Sequence, residues 1–200
     1  MTEAILRTEN LTKIYRSGSN DLVIFSDLNI EVHRGERLAL VGESGAGKST
    51  LLHLLGGLDR PTRGKIYYEK QDIAALADSA VADFRTRKIG FVWQIHYLLP
   101  EFTALENVMM PLLIRGDAPA GAALKSLARL DDVGLRARAE HRSGELSGGE
   151  QQRVALARAL AGDPAFPCAF PWFNTQRYWQ DRILEMREQV ALMDESPLTG

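Results

Sequence analysis

The stretch Gly42-Glu43-Ser44-Gly45-Ala46-Gly47-Lys48-Ser49-Thr50 constrains this chain more than any other. An apolar run, Leu38-Ala39-Leu40-Val41, leads into it, and a leucine-rich run, Leu51-Leu52-His53-Leu54-Leu55, leads out. Buried strand, glycine loop, then helix is the setting of a phosphate-binding loop. Gly42, Gly45 and Gly47 let the backbone curl so that successive N–H groups converge. The positive end of the following helix completes an anion socket, with Ser44 and Thr50 inside the same loop. In such a loop Lys48 reaches the β- and γ-phosphates of a nucleotide, and Ser49 offers its hydroxyl to Mg²⁺. A glycine turn between a strand and a helix is the simpler alternative, but the fixed positions and both flanks together favour phosphate binding. The loop alone does not say what the phosphate energy is used for.

Two hundred residues suit one domain, or one domain with a subdomain, and can bury a real core. The net charge of −2 gives no reason to expect nucleic-acid binding. Cys168 is the single cysteine, so no intramolecular disulfide forms, which fits a reducing compartment. The N-terminus lacks the basic and apolar regions of a signal peptide. No apolar run approaches the roughly 18 residues of a membrane span, so any membrane location comes from docking to something that spans it.

The segments around the loop read as an α/β plan. Residues 4–16 carry a short apolar pattern, and residues 22–32 alternate and are β-branched, which predicts strand. Arg37 to Val41 is the expected strand into the loop, and the helix after Lys48 should stop at Gly56-Gly57. Lys65-Ile66-Tyr67-Tyr68 and Ile89-Gly90-Phe91-Val92-Trp93 predict further strands, with helix over 74–86 between them. The middle then turns helical. Thr103-Ala104-Leu105-Glu106 has the form of a capping box. A second helix is expected from Ala122 to Val133, stopped by Gly134, and a third from Gly149 to Ala161.

Leu146-Ser147-Gly148-Gly149-Glu150 opens that third helix. A serine hydroxyl and two flexible glycines at a helix N-terminus make a second candidate anion site. The same residues also read as an ordinary N-cap followed by a permissive Gly-Gly.

With these motifs the chain resembles the ATP-binding subunits of ABC transporters, whose signature is Leu-Ser-Gly-Gly-Gln/Glu. The order also matches: the phosphate loop, then Phe91-Val92-Trp93-Gln94 as a glutamine after a strand, then the signature. Within the family, residues 49–62 and 96–108 are most similar to the lipoprotein-releasing type. Macrolide-exporter and cell-division ATPases are near relatives. The resemblance implies a P-loop NTPase of ABC type, with a β-rich N-terminal subdomain and an inserted helical subdomain over about residues 95–155. It implies ATP and Mg²⁺, with Tyr15 stacking on adenine and Gln94 sensing Mg²⁺ and the attacking water. It implies a head-to-tail dimer with a second copy, in which Ser147, Gly148, Gly149 and Glu150 close over the partner's ATP. It further implies integral membrane permease subunits docking near Gln94 and the helical subdomain. The location implied is cytoplasmic, peripheral on the inner face of the bacterial cell membrane. No nucleic acid is implied.

The family pattern breaks after Ala165, which bounds an expected cassette over 1–165. The family continues into an apolar strand ending in Asp-Glu; this chain reads Phe166-Pro167-Cys168-Ala169-Phe170-Pro171-Trp172-Phe173. Prolines at 164, 167 and 171 argue against a central strand there. Six of the chain's 15 aromatics lie between Phe166 and Trp179, an abrupt change of composition. Residues 166–200 therefore read as an aberrant segment ending in an amphipathic helix, on a cassette truncated before its core sheet is complete. Val190-Ala191-Leu192-Met193-Asp194-Glu195 matches the missing acidic motif as a string. Trp179, Ile183, Met186, Val190 and Met193 continue a helical stripe through it, however. Two functions follow: an energy-coupling ATPase subunit, or a remnant that binds ATP without hydrolysing it.

Overall fold

The computed structural model describes residues 4–18, 20–36, 38–40, 43–93 and 95–169. The chain divides into two units, with the boundary between Ala82 and Asp83.

The first unit is built on one long strand, β1 (Ala4–Ser17). It pairs antiparallel with β2 (Asn20–Leu28), β3 (Glu31–His33) and β4 (Arg63–Tyr68), and β4 pairs with the short β5 (Gln71–Asp72). The sheet runs β2-β1-β4-β5, with β3 also on β1. Leu6, Leu11, Val32 and Ile66 from these strands are buried. Register shifts flank Lys13 in the β1–β2 ladder, the signature of a bulge that re-aims side chains. Buried Thr8 is satisfied twice, its hydroxyl donating to Leu28 O at 3.0 Å and accepting from Ile30 N at 2.9 Å. Gly64 is obligatory at the start of β4. Its φ is +86°, and a Cβ there would stand 2.4 Å from Asn10 O. Helix α1 (Lys48–Leu55) buries Leu51, Leu52, Leu54 and Leu55 and ends where expected, with Gly56 N–H bonding Leu52 O.

In the second unit β6 (Ile89–Val92) pairs in parallel with β7 (Phe166–Ala169), from Ile89 opposite Phe166 to Val92 opposite Ala169. Helix α2 (Asp78–Lys88) leads into β6. Helices α3 (Ala104–Ile114), α4 (Pro119–Asp132) and α5 (Gly148–Leu160) pack on one another, and α5 packs on β6. Their core holds Val108, Leu112, Ala122, Leu130, Val154 and Ala155. The helix ends follow local chemistry. Thr103 and Glu106 make the reciprocal capping box of α3, Pro119 opens α4, and Gly134 closes it at φ +70°. Buried Asn107 takes Leu99 N–H at 2.8 Å and donates to Leu99 O, Phe102 O and Thr103 O, so it fastens the loop before α3. Gly90 lets β6 approach α5: a Cβ there would stand 2.2 Å from Ala159 O.

Two expectations are corrected. The strand over 37–41 does not form in its described part, since residues 38–40 carry no ladder. Apolar composition is not sufficient; a strand exists only where neighbours take its N–H and C=O groups. Conversely, the proline-bearing run after Ala165 is a strand. Within the described residues β7 pairs on one side only, along β6, and a proline is tolerated where its missing N–H is not asked for by a ladder. The α/β plan with a β-rich first part and a helical insertion is the one observed.

Candidate functional site

The phosphate loop lies in the first unit. Gly45 and Gly47 hold φ of +84° and +86°, a left-handed backbone that glycine adopts without strain. Gly47 is also fixed by packing, because a Cβ there would stand 2.5 Å from Ile24 Cγ2 on β2. It is the N-cap of α1, with no side-chain cap and no acidic residue in the first turn. The opening turn of α1 thus carries no acidic side chain of its own against the positive end of the helix. Glu43 O accepts from Ala46 N at 3.1 Å and from Lys48 Nζ at 2.8 Å, so the ammonium is held inside the loop. Ser44, Gly45, Ala46 and Ser49 are exposed, and Thr50 is half-buried. Donors, cation and hydroxyl fit a Mg-nucleotide. Gly42 lies outside the described residues.

Tyr15 stands on β1 with 40% of its surface exposed. Its hydroxyl donates to Asp59 Oδ2 at 2.8 Å. Lys13 Nζ lies 2.7 Å from the same oxygen, donates to Arg60 O at 2.8 Å, and sits 4.6 Å from the centre of the Tyr15 ring. Burial raises the Asp59 carboxyl, but the hydrogen bonds from Lys13 and Tyr15 outweigh it and hold the pKa below the ordinary value. Burial, then the Asp59 contact, raises the Tyr15 phenol; Thr50 acts on it the other way.

The signature stretch lies in the second unit. Ser147 is the N-cap of α5 in a complete capping box: its N–H and hydroxyl both donate to Glu150 Oε2 at 2.8 Å, and its Oγ accepts from Glu150 N at 3.3 Å. The N-cap reading of Ser147 is thus observed. Backbone and hydroxyl bonds from Ser147 hold the Glu150 carboxyl below its ordinary pKa, and Arg138 Nε lies 3.3 Å from Glu150 Oε1. Gly148 and Gly149 are exposed, with nothing within 4 Å of a Cβ at either. At the far end of α5, Arg158 donates to His96 O at 2.6 Å and to Tyr97 O at 2.8 Å. It thereby ties the helix to the segment that follows Gln94. Gln94 itself, and the Asp194-Glu195 pair, lie outside the described residues.

The sequence reading overlooked Lys13, Asp59, Asn107 and Arg158. Lys13 and Tyr15 are two residues apart on β1, but the register shifts beside Lys13 break the simple alternation of a strand. The other partners are distant in sequence, and no local signal reveals them.

The uncapped glycine start of α1, with Lys48 and Ser49, defines a P-loop nucleotide-binding protein of α/β fold. The profile of the ABC transporter family matches residues 25–169. The chain is 56% identical over 154 residues to the lipoprotein-releasing system ATP-binding protein LolD of Koribacter versatilis, covering 77% of this chain and 69% of that one. To LolD of Geobacter metallireducens it is 50% identical over 188 residues, 94% of this chain and 84% of the relative. To that of Pseudomonas fluorescens it is 52% identical over 189 residues, 92% and 83% of the two. A dimeric post-hydrolysis structure of the ATP-binding cassette MJ0796, bound to ADP and Pi, superimposes with a TM-score of 0.84. Identity there is 33%, over 94% of this chain and 87% of that one. The chain belongs to the ABC transporter family, as an ATP-binding subunit of its ATPase class. The two longer LolD matches necessarily include residues after Ala165.

Proposed function

We propose that this chain is the ATP-hydrolysing subunit that energises release of lipoproteins from the bacterial inner membrane. The observation that carries the reading is the 50–56% identity to several LolD proteins across most of the chain. Matches covering 92–94% of the chain favour a working subunit over a remnant that binds ATP without turnover.

The residues assign themselves as follows. Gly45, Gly47 and the α1 N-terminus take the phosphates, Lys48 leaves Glu43 O to meet the β/γ-phosphates, and Tyr15 stacks on the base. Ser49 and Gln94 hold Mg²⁺, which supplies charge neutralisation on the phosphates when bound. Ser147, Gly148 and Gly149 approach the nucleotide of a second copy, in a head-to-tail pair. The dimeric cassette to which the chain is similar supports pairing with a second copy. ATP shared between both copies binds the paired state preferentially and shifts the population toward it. In the second unit Ile95, Tyr97, Leu99 and Phe102, which follow Gln94 in the sequence, are exposed apolar side chains; they suit docking to an integral membrane permease. No helix among the described residues is long and apolar enough to cross a membrane, so attachment to the inner face comes through that partner.

The test has two parts. Purified chain should hydrolyse ATP with Mg²⁺, and Lys48→Ala should abolish turnover. The chain should also replace LolD in Pseudomonas fluorescens cells, reducing lipoprotein retained in the inner-membrane fraction. Turnover without replacement would leave the ATPase standing and reject the lipoprotein cargo.

A further inference from the structure

The geometry points to Lys13 and Asp59 as positioning residues for nucleobase recognition by Tyr15. We infer that this pair sets the ring's orientation before nucleotide arrives. The inference rests on the reading above in which Tyr15 stacks on the base.

Tyr15 is 40% exposed and projects from a strand that is out of register beside it. A free exposed phenol samples several rotamers, and fixing one is a cost that a stacking ligand must meet. Here the cost is met in advance from two directions. Asp59 Oδ2 accepts from the Tyr15 hydroxyl at 2.8 Å, which fixes the far end of the ring. Lys13 Nζ sits 4.6 Å from the ring centre, which covers one face and leaves the base the other. Lys13 is itself immobilised. It is 7% exposed and held by Asp59 at 2.7 Å and by Arg60 O at 2.8 Å. One carboxylate oxygen thus serves both the cation and the phenol, and its removal takes a partner from each. Asp59 also lies a few residues beyond the glycine end of α1, on a segment tied to the helix by Asp59 N–H to His53 O at 3.3 Å. The pair therefore references the ring to the helix whose N-terminus takes the phosphates.

Inorganic tripolyphosphate provides the test, because it engages the phosphate loop but has no base. Calorimetry with Mg-ATP and with Mg-tripolyphosphate gives an affinity ratio that a general loss of structure does not change. Tyr15→Ala should collapse the ratio. Asp59→Ala, Lys13→Met and Tyr15→Phe should each weaken ATP roughly three- to tenfold, the worth of one hydrogen bond, with tripolyphosphate unchanged. Asp59→Ala added to Tyr15→Phe should cost less than the sum of the two. If Tyr15→Ala lowers the ratio but Tyr15→Phe and Asp59→Ala leave it intact, the positioning role is overturned and the stacking role stands. If Tyr15→Ala leaves the ratio intact, the stacking role fails and takes the positioning role with it. Equal losses for both ligands would also overturn the proposal. Should Asp59→Ala fold poorly, Tyr15→Phe removes the same link with one atom and decides alone.

Discussion

Arg158 donates to the backbone carbonyl of His96 at 2.6 Å, across 62 residues of sequence. A second bond from the same guanidinium reaches Tyr97 O at 2.8 Å. Burial lowers the pKa of this arginine, but guanidinium is so strong a base that it stays charged. A rigid fork with two acceptors is work that lysine cannot copy. Arg158→Ala strands two carbonyls and should cost about 2 kcal/mol in urea unfolding, with Arg158→Lys recovering less than half. An unchanged midpoint for Arg158→Ala would contradict this account.

The same contact makes His96 a sensor of acid. Burial, and then the Arg158 charge, lower its pKa below the ordinary 6.5, and its buried Nδ1 has no partner among the described residues. The unfolded chain therefore binds the proton more readily than the folded one. The stabilisation from the neutral ring is complete above pH 6.5 and is lost as pH falls toward the lowered folded value. Unfolding free energy should drop across that window, and His96→Gln should flatten the drop. Equal slopes for both proteins would refute the assignment.

Gly90 and Gly121 give a matched pair. A Cβ at Gly90 would lie 2.2 Å from Ala159 O, while Gly121 has nothing within 4 Å. Gly90→Ala forces β6 from α5 and should destabilise by about 1–3 kcal/mol. Gly121→Ala, in the exposed first turn of α4, should be neutral or stabilising by about 0.5 kcal/mol. Thermal unfolding of the two variants checks both signs at once.

Thr103 and Ser147 carry identical capping boxes. Each change to alanine should cost about 1 kcal/mol of stability. ATP turnover should separate them. Ser147→Ala should lose most activity if, as proposed, Ser147 meets the second copy's nucleotide, and Thr103→Ala should keep it. Equal activities would reduce Ser147 to its role as a cap.

These contrasts mark how much could be read from sequence. The capping box of α3, the N-cap Ser147 of α5, the glycine stops at Gly56 and Gly134, and the glycines of the phosphate loop were all legible. Each is settled within about four residues of chain. The Tyr15 site was only half legible: its aromatic came from the family pattern, but Asp59, which orients it, lies 44 residues away. Arg158 looked like one more charge on an alanine-rich helix until its carbonyl partners were placed.

The strands divide most sharply. Sequence by itself determined where the chain turns, caps and binds phosphate, because those choices are made by neighbouring residues. Tertiary structure decided which apolar runs become strands. Residues 38–40 have the composition and no ladder, whereas Phe166–Ala169 carries a proline and pairs with Ile89–Val92. Half of a strand's hydrogen bonding belongs to a partner elsewhere in the chain, so its existence depends on what lies beside it.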